Sequence, residues 1–318
     1  ARGLWFRTLL QSGNYPSIAA ESRWVNRTTV EIHNKLVTKY ALAWKVVRDF
    51  LLGDDDETTW LKCGMIEVTG ATTHGAYLDH RKDISVDWNA PTLVLDAVLI
   101  KALVEPYLPG IRVSEMPHPA MPHATIRQII GAPHTKHKLT PPEVDKFGKP
   151  KRDGELKTAG NHRLDLARHI EIQADGKPTL LICQLAAEEK FNETGLPPNI
   201  ETAHFNAIAG IDRWKDIAYL PIVGRTLPSP SNIESLAEAL TGKPIARIAG
   251  WYQTNASGGF YHPDATAEAV RSAICEAEVI QAVGRARAIN RTAANPVLIE
   301  IFNNLPLPIP VGETVAWV

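Results

Sequence analysis

Short apolar runs alternate with amphipathic stretches through the second half of the chain. Three runs have the length and composition of buried strands: KPTLLICQ (177–184), AYLPIVGR (218–225) and NPVLIEIF (295–302). Apolar residues at helical spacing lie between them, most clearly over 231–242 and 264–288. Because strands alternate with helices, the pattern predicts an α/β fold with a parallel sheet and right-handed crossovers.

Further elements follow from the same spacing and from capping residues. Helices are predicted over 163–173 and 185–191, and another strand over PIARIAGWYQ (244–253). Ser231 or Asn232 is predicted to cap the next helix, with Glu234 close behind. Asp264 is predicted to cap the long helix after it.

The first half of the chain is less regular. Residues 1–60 have helical spacing, and two short strands are predicted over 62–70 and 75–80. APTLVLDAVLIKALVEPYLPG (90–110) is predicted to be a buried strand that runs into a helix, because Leu93–Leu95 are uninterrupted apolar residues. The predicted organisation is a mainly helical portion over 1–84, a strand–helix over 85–110, an irregular interdomain connector over 111–165 and an α/β domain over 166–318.

Composition narrows the function classes. Of the 318 residues, 44% are hydrophobic and 22% charged, and the net charge of -1 differs from that of a dedicated basic nucleic-acid module. The sequence contains no run of about 18 apolar residues, so no membrane span is predicted. The three cysteines lie far apart without a CxxC pair, so we expect a cytoplasmic protein with reduced thiols and no metal. Since the chain does not begin with Met, we expect a processed protein or part of a longer one.

One stretch, EAEVIQAVGRARAINRT (276–292), concentrates arginine behind a glycine. Arg285 and Arg287 lie two positions apart, follow Gly284 and adjoin an apolar helix face. A solvated basic helix surface is one interpretation. A constrained anion site is the other, because guanidinium groups bind phosphate oxygens bidentately and stay charged.

Four stretches resemble superfamily-2 helicases. QAVGRARAINR (281–291) is similar to motif VI in the Q-x-x-G-R-x-R form of Dicer-like and RNA-sensing helicases, and AGIDRWKDIAYLPIVGRTLPSP (209–230) resembles motif V. KPTLLICQLAAEE (177–189) resembles the start of the second RecA-like domain, and PTLVLDAVL (91–99) resembles motif III. Over about 85–305, their order is also similar to the C-terminal half of phage- or plasmid-type primase-helicase proteins.

This resemblance implies the C-terminal half of an ATP-dependent nucleic-acid helicase or translocase. Arg285 and Arg287 would be arginine fingers on the γ-phosphate of ATP bound with Mg²⁺. Gln281 would orient them, and Gly284 would lie in the same site.

The remaining residues implied by the resemblance serve coupling and nucleic-acid contact. Gly210 and Asp212 would couple the nucleotide to DNA or RNA, unless they form a plain turn. Asp96 would link hydrolysis to domain movement, unless it only caps a helix. Gln184 and Arg291 would contact the nucleic acid.

The other half of such an ATPase is missing from the sequence. The Gly-Lys pairs at 148–149, 176–177 and 242–243 are each followed by proline, so none completes GxxxxGK[ST]. No DExx box follows an apolar strand, and Val98 replaces the usual threonine of motif III. We therefore predict that this chain does not hydrolyse ATP alone. Its P-loop would lie in a first RecA-like domain, in the same polypeptide or in another chain.

Two other function classes fit parts of the sequence. A catalytically inactive RecA-like module for nucleic-acid binding or assembly agrees with the missing P-loop, whereas the intact arginine pair argues against it. A metal-dependent enzyme would use four histidines of the connector, although a surface loop is the simpler interpretation: His118, His123, His134 and His137. Three aromatic residues suit either base stacking or packing: Trp214, Trp251 and Tyr252.

Overall fold

Six parallel strands form the central sheet of the larger of two units. The computed structural model describes residues 27–52, 61–68, 71–78, 81, 84–85, 90–114, 119–131, 134–141, 153–255 and 259–317. The smaller unit lies within residues 1–81 and 241–244, and the larger within 82–240 and 245–318.

The elements are numbered in chain order. They are α1 (Arg27–Leu51), β1 (Leu61–Val68), β2 (Ala71–Leu78), α2 (Lys101–Val104), β3 (Ala124–Ile130), α3 (Lys136–Leu139), α4 (Asp153–Ala174), β4 (Thr179–Cys183), α5 (Leu185–Thr194), β5 (Ile200–His204), β6 (Tyr219–Val223), α6 (Pro230–Thr241), β7 (Gln253–Thr254), β8 (Phe260–Tyr261), α7 (Ala265–Gly284), a 3₁₀-helix (Ala288–Asn290), β9 (Val297–Phe302) and β10 (Glu313–Ala316).

The smaller unit contains the long helix α1 and an antiparallel hairpin. Strands β1 and β2 pair from Leu61 opposite Leu78 to Val68 opposite Ala71. The predicted helix and two short strands are confirmed here, while the predictions for residues 1–26 and 53–60 lie outside the described residues.

The sheet of the larger unit has the strand order β10-β3-β9-β6-β4-β5, with every neighbouring pair parallel. Each strand therefore reaches the next through a crossover, which the intervening helices and loops supply. The predicted α/β class is confirmed, and six parallel strands flanked by helices are compatible with a RecA-like fold.

Alternate residues of the central strands fill two apolar cores, one on each face of the sheet. Leu180 and Ile182 of β4 face α7, together with Leu220 and Ile222 of β6. Intervening residues such as Leu181 face the other core, formed with α4 and α5. Burial on both faces explains why these strands are continuous apolar runs in the sequence.

The helix caps were predicted with mixed success. The Asp264 side chain accepts hydrogen bonds from the amides of Thr266 and Ala267, both at 2.9 Å, which confirms the predicted cap of α7. The prediction of Ser231 or Asn232 as the cap of α6 was wrong. That helix begins at Pro230, a residue suited to the first helical position, and the preceding Ser229 accepts from the Asn232 amide.

The strand predicted over 244–253 was also wrong, apart from its last residue. The Ile245 and Ile248 amides donate to the buried carboxylates of Glu238 and Glu234, at 3.1 and 2.8 Å. Arg247 bridges the same two carboxylates. Side chains of α6 thus take the backbone hydrogen bonds that a neighbouring strand would have taken.

The structure contains two strands, β3 and β5, in regions where we predicted none. Strand β3 lies inside the predicted irregular connector and pairs with β9 and β10, so the connector prediction was wrong over 124–130. Strand β5 follows α5 at the edge of the sheet, and Ile200 and Ala203 are its two buried residues. Polar residues within these strands hid the apolar pattern that marked their neighbours.

The apolar run Leu93–Leu95 is not the buried strand that we predicted. Residues 91–96 have no strand assignment, and the Leu93 and Leu95 side chains are 80% and 85% exposed. The sheet of this unit is complete without the segment, and nothing in the described residues covers it.

Candidate functional site

The end of helix α7 meets the connection between β5 and β6. The Arg285 guanidinium donates to the Ile211 carbonyl oxygen at 3.0 Å and to the Gln281 carbonyl oxygen at 3.3 Å. Residues 74 positions apart are therefore joined by one half-buried side chain. The contact holds the arginine segment against the turn that carries Gly210 and Asp212.

Arg287 forms an exposed ion pair with Asp212. Its Nε and Nη2 atoms donate to Asp212 Oδ1 at 2.9 and 2.6 Å. The hydrogen bonds and charge of Arg287 lower the pKa of Asp212. Because both side chains are about half exposed, solvent screens the pair, and another anion can compete for the guanidinium.

The backbone around both partners is special. Arg287 has φ 47° and ψ 45°, the left-handed conformation that costs a residue with a Cβ about 1–2 kcal/mol. Gly210 has φ +74°, so a glycine suits the turn that presents Asp212. Gly284 ends α7, and a two-residue step then takes the chain to Arg287. Strained backbone at a shared charged contact is a common property of functional sites.

Two further residues predicted for this region act through the backbone or lie buried. Gln281 contacts Arg285 with its carbonyl oxygen, so the backbone and not the side-chain amide orients this arginine. Arg291 is only 5% exposed; it donates to the Ala286 carbonyl oxygen and to Asn295 Oδ1. In this conformation Arg291 holds the loop before β9 and presents no surface to a nucleic acid.

Asp96 and Gln184 make their contacts elsewhere. Asp96 is exposed and accepts from the Val98 amide at 2.8 Å, so it closes a local turn two residues long; the helix-cap alternative was wrong, since α2 follows Ile100. Gln184 precedes α5 at the carboxyl end of β4 and donates through Nε2 to the Arg225 carbonyl oxygen.

That Gln184 contact belongs to a polar network along the carboxyl ends of the strands. Asn303, after β9, donates to the Gly224 carbonyl oxygen at 3.2 Å, and Gln128 of β3 donates to Asn303 and Leu305. Strands β4 and β6 are neighbours in the sheet. The chain leaves β4 toward β5 and leaves β6 in the opposite direction, toward β9, so the carboxyl ends of β4 and β6 form a topological switch point. Ligands of open α/β sheets bind at such points.

Gly224 is tightly packed at the carboxyl end of β6. It has φ +76°, and a Cβ there would lie 2.6 Å from the His134 carbonyl oxygen. We expect Gly224→Ala to lower the free energy of unfolding by more than the roughly 1–2 kcal/mol of a left-handed residue, because backbone must also move. Urea unfolding measures this loss.

Gly176→Ala is the matched control for that prediction. Gly176 has φ +71° but nothing within 4 Å of the added Cβ, so only the conformational cost remains. Equal losses for the two variants would contradict the clash at His134.

Part of the predicted histidine loop is buried. His134 is 2% exposed, which makes the surface-loop prediction wrong at this position. Its ring stacks on His162 with centroids 5.0 Å apart, and burial lowers its pKa to about 3. His118 lies outside the described residues. Within the described part of the chain, no three His, Cys, Asp or Glu side chains are grouped to hold a metal ion.

A buried carboxylate, Glu300, was missed by sequence reasoning. It is fully buried in β9 and accepts from Arg127 of β3 at 2.8 Å and from the Tyr219 hydroxyl of β6 at 2.6 Å. His169 Nε2 of α4 lies 2.9 Å from the same carboxylate. A single charged residue inside the run VLIEIF was the available signal.

The fold and these contacts define an α/β protein with a parallel sheet, whose predicted arginine pair adjoins a Gly-x-Asp turn. Comparison of the chain with known protein families, with curated proteins and with solved structures gave no match. In the part of the chain that the structure describes, no helix has both the length and the apolar character needed to span a bilayer.

Proposed function

We propose that this chain is the C-terminal half of an ATP-dependent nucleic-acid helicase or translocase. It would supply Arg285 and Arg287 as arginine fingers to ATP held by a P-loop domain. The observation that supports the proposal is that Arg285 and Arg287, in the stretch that resembles motif VI, contact Ile211 and Asp212, in the stretch that resembles motif V.

The ion pair of Arg287 suggests how a phosphate could reach this finger. Asp212 pairs with the guanidinium, and its carboxylate is a screened, replaceable partner. A γ-phosphate would offer two oxygens in place of the single Oδ1 atom that both nitrogens of Arg287 contact. Exchange of Asp212 for phosphate would couple nucleotide binding to the Gly210 turn.

The exposed run Leu93–Leu95 supports the existence of a partner domain. Three consecutive apolar residues are typical of a segment that is covered on both faces. The side chains of Leu93 and Leu95 are exposed. We interpret the segment as the contact to the P-loop domain, where Mg²⁺ and the phosphates would be bound.

The test compares this chain alone with this chain joined to the polypeptide encoded before it in the gene. We expect the preceding reading frame to contain GxxxxGK[ST] and a DExx box. The joined protein should hydrolyse ATP with stimulation by DNA or RNA, and the chain alone should not. A preceding frame without either motif, or a joined protein without ATPase activity, would overturn the proposal.

One observation favours the alternative, a catalytically inactive RecA-like module for binding or assembly. Arg285 and Arg287 both have protein partners, so they could serve only to fasten α7 to the Gly210 turn. The two proposals differ in ATPase activity of the joined protein, because only fingers accelerate phosphoryl transfer.

A further inference from the structure

An arginine at the carboxyl end of β6 has a guanidinium without an ion pair among the described residues. Arg225 is half-buried and lies over the Phe260 ring, 5.0 Å from its centroid. Its carbonyl oxygen is held by Gln184. Burial lowers the pKa of Arg225, although Arg remains charged at neutral pH. A half-buried charge without a protein counter-ion is costly unless a ligand supplies one.

A second guanidinium, on α7, influences the first. Arg271 is 3% exposed and close enough to Arg225 to lower its pKa further. Its Nε and Nη2 atoms bind Glu268 and Glu276 at 2.7 Å, whereas its Nη1 atom is buried and has no partner in the part of the chain that the structure describes. Glu276 also faces Arg225, but its Oε1 atom is bonded to Arg271. Glu276 Oε2 is likewise buried without a hydrogen-bond partner among the described residues, so Arg271 and Glu276 keep one unpaired donor and one unpaired acceptor between them. Arg225 is the guanidinium of this group that has no ion pair in the described part of the chain, and it is the donor available to an anion.

An exposed aromatic ring, Trp251, lies in the segment that leads into β7. Trp251 is 52% exposed, and its ring is edge-on to Tyr252 with centroids 5.4 Å apart. Tyr252 is buried, and its hydroxyl donates at 2.9 Å to the carbonyl oxygen of Pro228, three residues after Arg225. The β7–β8 hairpin pairs Thr254 with Phe260, which carries the ring under Arg225.

We propose that the carboxyl end of β6 and the segment with Trp251 that leads into β7 form a surface that binds single-stranded nucleic acid. Arg225 binds a backbone phosphate, and Trp251 stacks on a base. Proteins bind single strands by this combination of arginine and aromatic rings. The surface lies at the topological switch point, where sheets of this class bind ligands.

This inference rests on the proposed function and changes the residues assigned to nucleic-acid contact. Gln184 acts as a positioning residue, because its amide holds the backbone of Arg225. Arg291 is buried and takes no part. Trp214, the other tryptophan singled out in the sequence, is also buried at 3% exposure and belongs to the core. Of the aromatic candidates, Trp251 has the accessible ring.

The experiment measures binding of fluorescein-labelled oligo(dT) and oligo(U), about 20 nucleotides long, by fluorescence anisotropy over a range of salt concentrations without nucleotide. Trp251→Ala should weaken binding about ten-fold at every salt concentration, with the salt dependence unchanged. Trp251→Phe should restore most of the affinity. Arg225→Gln should reduce the slope of log K against log salt by about 0.7, the contribution of one phosphate contact to a single strand.

Two matched variants control for general losses. Arg168→Ala removes an exposed arginine of α4, and Trp44→Ala removes an exposed tryptophan of the smaller unit. Both should bind as the wild type does. Circular dichroism and thermal unfolding identify variants that have lost the fold, and Arg225→Lys then replaces Arg225→Gln, with weaker binding and an unchanged slope expected.

The proposal is overturned if the wild-type chain binds neither polymer at low salt, or if the Trp251 and Arg225 variants keep the wild-type affinity and slope. Suppose that the joined Arg285→Ala protein loses ATPase activity while the Trp251 and Arg225 variants bind as the wild type does. This result would contradict the proposed strand-binding surface but would still support the arginine fingers.

Discussion

Replacing Arg285 with alanine is expected to lower the ATPase rate of the joined protein by about 10³- to 10⁵-fold, the range of an arginine finger. The guanidinium would stabilise charge on the γ-phosphoryl group in the transition state, where a preorganised donor contributes most. In the structure its position is fixed by the Ile211 and Gln281 carbonyl oxygens. Steady-state kinetics with saturating nucleic acid measures the effect, which should fall on kcat.

The same variant needs a structural control, because Arg285 also fastens α7 to the β5–β6 connection. Its loss should lower stability by about 0.5–1.5 kcal/mol per neutral hydrogen bond, which leaves the protein folded. Arg285→Lys keeps the charge without the planar fork and should remain strongly impaired. Arg168→Ala, on the other face of the sheet, should have wild-type kinetics. Turnover near the wild-type rate in Arg285→Ala would assign the arginine a purely structural role.

The strands that could be predicted are those buried on both faces. Strands β4 and β6 are fully buried along their lengths, and β9 nearly so. Their apolar composition is a direct consequence of having no solvent-facing side. Strand β5 is an edge strand whose two buried residues, Ile200 and Ala203, lie three positions apart, so its short pattern is no stronger than that of a loop.

Strand β3 was missed for a different reason, since its polar residues are paired across the sheet. Arg127 lies opposite Glu300 in the register of β3 and β9, and Gln128 binds the chain after β9. Each polar residue is satisfied by a partner about 175 positions away, and local patterns carry no information about such partners. The prediction of a buried strand at Leu93–Leu95 failed for the opposite reason. Its apolar residues indicate that the segment is suited to burial, but they do not identify which part of the protein would cover it.

The site was predictable only in part, and only through the family resemblance. Spacing alone marked Arg285 and Arg287 as an unusual pair, but nothing local connects them with Asp212. The resemblance assigned the two stretches to motif VI and motif V without predicting a contact between them, and that contact is seen in the structure. By contrast, Arg225 has no signal in the sequence, because its character depends on Phe260 and Arg271 in three dimensions.

Replacing Glu300 is expected to cause the largest loss of stability in the sheet. Its carboxylate is fully buried and accepts from Arg127 and Tyr219, with His169 on the same oxygen as the tyrosine. Removing one partner of a buried charged group leaves the others unsatisfied, at a cost of about 3–5 kcal/mol. We therefore expect Glu300→Ala to lower the free energy of unfolding by that amount at neutral pH.

Glu313→Ala is the matched control, because Glu313 binds the same Arg127 at 2.7 Å from an exposed position. An exposed pair contributes about 0–1 kcal/mol, so the control should lose no more than that. Urea unfolding at neutral pH measures both values. Similar losses for the two variants would show that burial of the Glu300 carboxylate does not strengthen its bonds.

The stability from Glu300 should also disappear in acid. Burial acts to raise its pKa, but hydrogen bonds from His169, Tyr219 and Arg127 outweigh it and lower the pKa below the ordinary value of 4.5. A lowered folded-state pKa means that the ionised carboxylate stabilises the fold at pH above the unfolded value, and that this stability is lost as the pH falls through the folded value. The difference in unfolding free energy between the wild type and Glu300→Gln should therefore be largest near neutrality and shrink below about pH 4.5. A difference that stays constant through this range would contradict an ionised Glu300 in the folded protein.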